Sequence, residues 1–175
     1  MREELDKELV NKYPKIFSEI NFTEIHNGWF HIIDKMCNLI QRHIDNSNNS
    51  RIRIIIKNRR IKEAIENNNN ILVLKELAID LFGHLDSPTI ETFINNPESF
   101  YEIVPNKVEQ VVASQIKEKF GSLCFYYSGG DDFVDAVIRM AEEMSDVTCE
   151  FCGSPGELDT SKGWVQVKCK MHKNQ

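Results

Sequence analysis

The chain has 175 residues, 41% of them hydrophobic and 27% charged, which is enough for one globular domain, or for one domain with a small additional module. Its formal net charge of −6 disfavours general binding to nucleic acid, because phosphate repels an acidic protein. The charged opening residues and the lack of a membrane-length apolar run predict a soluble protein without a signal peptide. Five cysteines, an odd number, predict reduced thiols in a cytoplasm and not a disulfide framework.

Two helices are predicted in the first 45 residues. The first is a short helix within residues 1–20, in which Pro14 either breaks or restarts the helical pattern. The second follows a turn at Asn27-Gly28, and its apolar residues recur at helical spacing, with Cys37 as a small buried hydrophobe among them. We expect this helix to end near Asp45, because the next five residues are polar and turn-forming.

A basic stretch follows at residues 51–62, with six positive charges and no acid. The favoured interpretation is a solvated basic face beside an isoleucine-rich stripe that packs into a core. The alternative is a patch that binds an acidic partner or a nucleotide.

Residues that favour loops and helix ends divide the rest of this region into predicted elements. The asparagine run Asn67–Asn70 predicts a loop, and Ile71–Phe82 predicts a short helix that Gly83 ends. Ser87-Pro88 can open a further helix, with proline at its first position.

The segment Val108–Tyr127 fits two structures. Its first half has the apolar spacing of a helix that would end at Gly121, whereas its β-branched residues favour a hairpin that turns within Glu118–Ser122. We favour the hairpin, in which Tyr126 and its neighbour Tyr127 face opposite sides of one strand. A helix is then predicted from Asp131 or the residue after it.

Four residues near the C-terminus have the spacing of a metal site. Cys149 and Cys152 form one Cys-x2-Cys pair, and Cys169 and His172 form a Cys-x2-His pair after sixteen intervening residues. Two short-spaced pairs are what a tetrahedral zinc ion requires, and Gly153 provides an unhindered backbone beside the first pair. A strand containing Trp164, Val165 and Val167 is expected before the second pair.

We expect this site to bind one structural zinc ion. A redox Cys-x2-Cys is the alternative, but redox chemistry would not need the second pair. Four protein ligands leave no open position for water or substrate, so the ion would stabilise a module too small to fold alone.

The loop Ser128–Asp132 has the glycines of a phosphate-binding turn, but a helix cap is the better interpretation. It has no GK[ST] element, and its two carboxylates repel phosphate. The histidines outside the metal motif have no ligand partners at suitable spacing and are expected to be solvated. They are His26, His31, His43 and His84.

Several stretches resemble a family of small uncharacterised proteins in phage and prophage genomes. The resemblance is carried by QIKEKFGSLCFYYSGGDD (115–132), IRMAEEMS (138–145) and TCEFCGSPG (148–156), and at the front by YPKIF (13–17) and GWFHIIDKMCNLIQ (28–41). Family members carry a basic residue where this chain has Cys124, and a much shorter connection where it has residues 46–107. The resemblance implies a phage accessory protein in the cytoplasm of the host cell, without implying an activity.

The predicted fold class is α+β. We expect a mostly helical body over 1–147, with 46–107 as an insert atypical of the family and a short β-hairpin. A zinc-ribbon or treble-clef-like module over 148–175 completes the prediction.

The favoured function is non-enzymatic: occupancy of a host protein, in counter-defence or host takeover. One alternative is a sponge that sequesters a small nucleotide signal, and another is a small metal-dependent enzyme acting on nucleotides or nucleic acid. We expect the functional surface around 117–132, near the start of the last helix of the body. The candidate binding residues are Lys117, Lys119, Tyr126, Tyr127, Asp131, Asp132 and Arg139, and the enzyme hypothesis adds Asp135.

Overall fold

The structure is a computed structural model that describes residues 1–66, 70–83, 88–161 and 163–173. Its helices are α1 (Glu3–Lys12), α2 (Phe30–Glu66), α3 (Ile71–Phe82), α4 (Pro88–Asn95), α5 (Asp132–Ser145) and α6 (Lys170–Lys173). Its strands are β1 (Glu109–Lys119), β2 (Ser122–Gly130), β3 (Glu157–Asp159) and β4 (Gln166–Lys168), and short 3-10 turns cover Asn27–Trp29 and Pro97–Phe100. The predicted α+β class is confirmed.

The chain forms two compact units. The first consists of residues 1–46 and 108–175, and the second consists of residues 47–107. The core of the first unit is built from α1, the first half of α2, the β1–β2 hairpin and α5. Its largest fully buried side chains include Leu9, Ile16, Trp29, Ile33, Ile40, Ile116 and Leu123.

The hairpin predicted between Val108 and Tyr127 is confirmed. Strands β1 and β2 pair antiparallel, and the turn at Phe120-Gly121 lies within the predicted segment. The backbone N–H of Leu123 donates to Ser145 Oγ at 2.8 Å, and that of Phe125 donates to Glu142 Oε1 at 3.0 Å. These bonds tie β2 to α5, so the helix that precedes the metal motif is fixed against the hairpin.

The predicted end of the second helix near Asp45 is wrong, because α2 continues to Glu66. In the second unit, the side chain of Asn58 exchanges two hydrogen bonds with the backbone of Glu102. Ile61 and Ala64 are buried in the core that this unit builds with α3 and α4. These contacts come from residues distant in sequence, and they outweigh the weak helix propensity of residues 46–50.

The basic stretch 51–62 lies on α2, and acids neutralise part of its charge. Lys57 pairs with Glu102, and Arg60 Nη1 lies 2.6 Å from Asp80 Oδ2. The expected isoleucine-rich core stripe does not form as predicted, because Ile61 is buried while several other isoleucines are exposed. The exposed ones are Ile52, Ile55 and Ile56.

The predicted helix boundaries in the second unit are confirmed where the structure describes them. Gly83 ends α3 with φ 78°, a left-handed conformation that glycine adopts without strain, and Pro88 begins α4. Asn70 caps α3 through a bond to the N–H of Leu72. Asn67 to Asn69, His84 and Ser87, which also carried predictions, lie outside the described residues.

Among the helices that the structure describes, none combines the length and apolar character needed to cross a membrane.

Replacing Cys37 tests the packing of the first unit. Cys37 is fully buried in the core and free, and burial raises the pKa of its thiol. Cys37→Ser places a hydroxyl without a designed partner in an apolar site, so it should lower the free energy of unfolding by about 1–3 kcal/mol. Urea denaturation measures this change.

Cys124→Ser is the matched control, because Cys124 is only half-buried on β2. It should change the free energy of unfolding by less than about 0.5 kcal/mol. Equal effects of the two substitutions would contradict the position of Cys37 in the core.

Candidate metal centre

The predicted ligands Cys149, Cys152, Cys169 and His172 come together at one point. Their ligand atoms all lie within 4.8 Å of one another. Cys152 Sγ lies 3.8 Å from Cys169 Sγ, and His172 Nδ1 lies 3.2 Å from Cys169 Sγ and 3.5 Å from Cys149 Sγ. Three sulfurs and one imidazole nitrogen therefore converge as a group that can hold a metal ion.

Two local structures present these ligands. The first cysteine pair lies on a tight turn after α5, in which the N–H of Gly153 donates to the carbonyl of Cys149 at 2.8 Å. Gly153 has φ 76°, so the turn uses the left-handed conformation that favours glycine. The second pair lies where β4 meets α6, and the N–H of His172 donates to the carbonyl of Cys169.

The expected strand before this second pair is shorter than predicted. It is β4, from Gln166 to Lys168, and it pairs antiparallel with β3. Val167 lies in the strand and is fully buried, whereas Trp164 lies outside it and is 66% exposed. This small hairpin brings the two ligand pairs together.

The two buried thiols differ in acidity. Burial raises the pKa of the Cys149 thiol. Hydrogen bonds from the backbone and the side chain of His172 lower the pKa of Cys169 to about 6. The thiolate is the metal-binding form of cysteine, so the surroundings of Cys169 favour its role as a ligand.

A close backbone contact joins the first cysteine turn to the N-terminal half of the chain. The N–H of Gly28 donates to the carbonyl of Glu150 at 2.7 Å. A Cβ atom on Gly28 would lie 2.2 Å from the carbonyl oxygen of Cys149 and 2.6 Å from the nitrogen of Gly153. No side chain fits there, so the turn packs against residue 28 only because that residue is glycine.

Side chains on both sides of Gly28 reinforce the contact. The indole N–H of Trp29 donates to the carbonyl of Thr148 at 2.9 Å. His26 Nδ1 lies 2.6 Å from Glu150 Oε1, and the backbone N–H of His26 also approaches that oxygen at 3.3 Å. His26 was expected to be solvated without a partner, and its pairing with Glu150 corrects that prediction.

Two of the candidate binding residues lie together on the hairpin. Lys117 on β1 places its ammonium 5.1 Å from the ring centre of Tyr126, which is 41% exposed. Lys119 lies at the end of β1 beside the exposed ring of Phe120. The face of the hairpin that carries Tyr126 is therefore open to solvent.

The remaining candidates are Tyr127 on β2 and three residues at the start and on the outer side of α5. Tyr127 donates from its hydroxyl to Asp135 at 2.5 Å, and burial, followed by this bond, raises the pKa of Tyr127 to about 12. Asp132 and Arg139 are exposed on the helix.

Asp131 caps α5 and has a partner that sequence reasoning missed. Its Oδ1 accepts the N–H of Val134 at 3.2 Å, as the predicted helix cap requires. Its Oδ2 lies 2.8 Å from His43 Nε2, and the ring of His43 stacks on Phe133. Burial opposes ionisation of Asp131, but the bonds from His43 and Val134 keep its pKa below the usual value. His43 was expected to be solvated, and this prediction is wrong.

Two neighbouring clefts lie along the edge of the hairpin, and Glu24 lines both of them. One has a volume of about 390 Å³ and is lined in part by Phe22 and Tyr126. The other has a volume of about 320 Å³ and is lined in part by Glu118 and Trp164. We call Phe22, Glu24, Glu118, Tyr126 and Trp164 the hairpin-edge surface.

No family model, curated protein or solved structure matches this chain. The resemblance to phage and prophage proteins therefore rests on the sequence motifs alone, and functional proposals rest on those motifs and on the geometry of the first unit.

The contact at Gly28 generates a stability prediction. Gly28→Ala forces a methyl group into the backbone of the cysteine turn, so it should lower the free energy of unfolding by about 3 kcal/mol or more. Urea denaturation of the metal-loaded protein measures the loss.

Gly163→Ala is the control for the loss of a glycine itself. Gly163 has φ 76°, but a Cβ there meets nothing within 4 Å. The substitution should therefore cost only about 1 kcal/mol of backbone strain. A Gly28→Ala variant no less stable than Gly163→Ala would show that the turn does not pack as described.

Proposed function

We propose that this chain is a zinc-stabilised binding protein, encoded by a phage, that acts without catalysis by occupying a host protein. In this protein the zinc stabilises the fold, and a separate surface binds the partner.

The distances between the ligand atoms support zinc. A tetrahedral ion with zinc–sulfur bonds of about 2.3 Å and a zinc–nitrogen bond of about 2.0 Å separates two sulfurs by about 3.8 Å, and sulfur from nitrogen by about 3.5 Å. The corresponding separations here are 3.8 Å between Cys152 Sγ and Cys169 Sγ, and 3.2 and 3.5 Å from His172 Nδ1 to two sulfurs. Three thiolates and one imidazole are also ligands that zinc prefers.

A structural role follows from the completeness of the ligand set. Four protein ligands fill a tetrahedral shell and leave no position for substrate. Among the residues that the structure describes, this is the one group of three or more histidine, cysteine or acidic side chains close enough to share an ion. The proposal therefore gives the zinc the task of holding the cysteine turn and the β3–β4 hairpin in place.

Zinc content tests this part of the proposal. The metal-replete protein should contain one zinc per chain by elemental analysis. Cys152→Ser, which removes an exposed ligand and disturbs little packing, should reduce the content to well below half an equivalent. Cys124→Ser, on the hairpin, should leave it unchanged. Full zinc retention in Cys152→Ser would show that these residues do not hold the ion.

Exposed aromatic side chains on the hairpin-edge surface support protein binding. Phe22 is 60% exposed, Tyr126 is 41% exposed and Trp164 is 66% exposed. Aromatic residues are enriched in protein–protein interfaces, because they bury much area at a small entropic cost. The exposure of these three rings is the main support for a protein partner.

The charge of the same surface favours a protein over a nucleotide. Both clefts are lined by Glu24, and the second is also lined by Glu118 and Glu150. Carboxylates repel the phosphates of a nucleotide signal. The phage origin and the counter-defence role come from the resemblance of the sequence motifs, and they complete the proposal.

A plating assay tests the biological role. The chain would be expressed in bacterial strains that each carry one anti-phage defence system, and each strain would be challenged with a phage that its system restricts. We expect plaque formation to recover in at least one strain, and Phe22→Ala or Tyr126→Ala to abolish the recovery by weakening partner binding about 30-fold, as loss of an interface anchor does.

Met140→Ala is the matched control, since Met140 is an exposed apolar side chain on α5 that lies outside both clefts. It should leave the recovery intact. Recovery by the chain that is insensitive to Phe22→Ala and Tyr126→Ala would contradict the assigned surface, and no recovery in any strain would contradict counter-defence.

A further inference from the structure

The second cleft of the hairpin-edge surface contains an unusual concentration of negative charge. Its lining includes Glu24, Glu118 and Glu150, and among its described lining residues the only fixed positive charge is the ammonium of Met1. That ammonium donates to the backbone carbonyls of Ile25 and, at 3.4 Å, of Thr23. It is therefore held by carbonyl oxygens and not by one of the carboxylates.

Glu150, which lines the same cleft, has a buried side-chain oxygen to which no described residue donates a hydrogen bond. Its side chain is only 2% exposed, and His26 approaches its Oε1. Its other oxygen, Oε2, is buried and has no hydrogen-bond partner among the described residues. A buried carboxylate oxygen without a donor is costly, and Glu150 lines the cleft, so a donor that enters the cleft can satisfy this oxygen.

The spacing of Glu24, Glu118 and Glu150 favours an organic cation over a metal ion. In the part of the chain that the structure describes, the three carboxylates do not form a group compact enough for one metal ion, because the cysteine–histidine cluster alone meets that condition. A guanidinium is larger and planar, and its five N–H donors can reach several carboxylates at once.

Trp164 gives the cleft an aromatic side that suits a planar cation. Trp164 lines the cleft with its ring 66% exposed. Its indole N–H lies 3.4 Å from Glu118 Oε2, which orients the ring beside that carboxylate. Tryptophan is the strongest aromatic partner of a cation, and guanidinium groups stack on its face.

We propose that this cleft binds a guanidinium group, with Glu118 and Glu150 as acceptors and the indole of Trp164 stacked on its plane. The group belongs to an arginine side chain of the protein partner, and this assignment of its source rests on the proposed function. The exposure of the acids falls from Glu24 through Glu118 to Glu150, so the arginine enters past Glu24 and reaches Glu150 last.

Titration of the zinc-loaded full chain, followed by NMR, tests the site without knowledge of the partner. The probe is Nα-acetyl-arginine methylamide, and the indole N–H of Trp164 is the reporter. We expect saturable shifts with a Kd of about 1–10 mM, as befits one small contact. The citrulline analogue, which is neutral and of the same shape, should bind at least about tenfold more weakly, because the carboxylates need a charged donor.

Two conservative variants and one control locate the site. Glu118→Gln keeps an acceptor for the N–H of Gly121 but removes the charge, and it should weaken binding by about fivefold or more. Glu24→Gln changes an exposed residue, so it should fold normally and weaken binding to a smaller extent. Glu8→Gln removes an exposed acid on α1, outside the cleft, and should have no effect. Equal binding of citrulline and arginine analogues, unchanged binding in Glu118→Gln, or no saturable shift would overturn the site.

Free L-arginine separates the two sources of the guanidinium. Its backbone ammonium and carboxylate have opposite effects in an acidic cleft, so it should bind no more tightly than the blocked analogue, which has the amide groups of a peptide. Tighter binding of free arginine would overturn the assignment to a partner's side chain and identify a small metabolite instead. The guanidinium site and the proposed function are tested separately. The titration needs no phage, and the plating assay needs no arginine probe.

Discussion

The close approach of Gly28 to the turn between Cys149 and Gly153 connects the two ends of the first unit. Its N–H reaches the carbonyl of Glu150, and its missing side chain leaves room for the backbone of the turn. Residues just before it also pair with β1, where the N–H of Glu24 donates to the carbonyl of Ile116 at 2.8 Å. One short segment therefore touches the hairpin on one side and the metal centre on the other.

A metal ion bound at the cysteine–histidine cluster and the contact at Gly28 would support each other. A module of about 27 residues buries too little apolar area to fold alone, so an ion held by the four ligands would supply stability that the module lacks. The segment around Gly28 holds the first cysteine turn in place, because Trp29 and His26 bond to Thr148 and Glu150 in that part of the chain. The exposed ring of Trp164 and the acids of the second cleft are presented on this braced structure, as binding residues on loops commonly are.

The sequence predicted the features whose signals are local. The ligand spacing identified Cys149, Cys152, Cys169 and His172, and the β-branched residues identified the hairpin, because each pattern is complete within a short stretch. The end of α2 was mispredicted, because its continuation depends on Asn58 meeting Glu102, forty-four residues later. The partners of His26 and His43 lie 124 and 88 residues away, and no spacing rule connects them.

X-ray absorption at the zinc edge tests the metal centre most directly, because it reports the atoms bound to the ion in the folded protein. The arrangement of the four side chains predicts three sulfur neighbours at about 2.3 Å and one nitrogen neighbour at about 2.0 Å. A shell with fewer sulfurs and additional oxygen or nitrogen neighbours would mean an open site, and it would contradict a closed structural zinc held by Cys149, Cys152, Cys169 and His172.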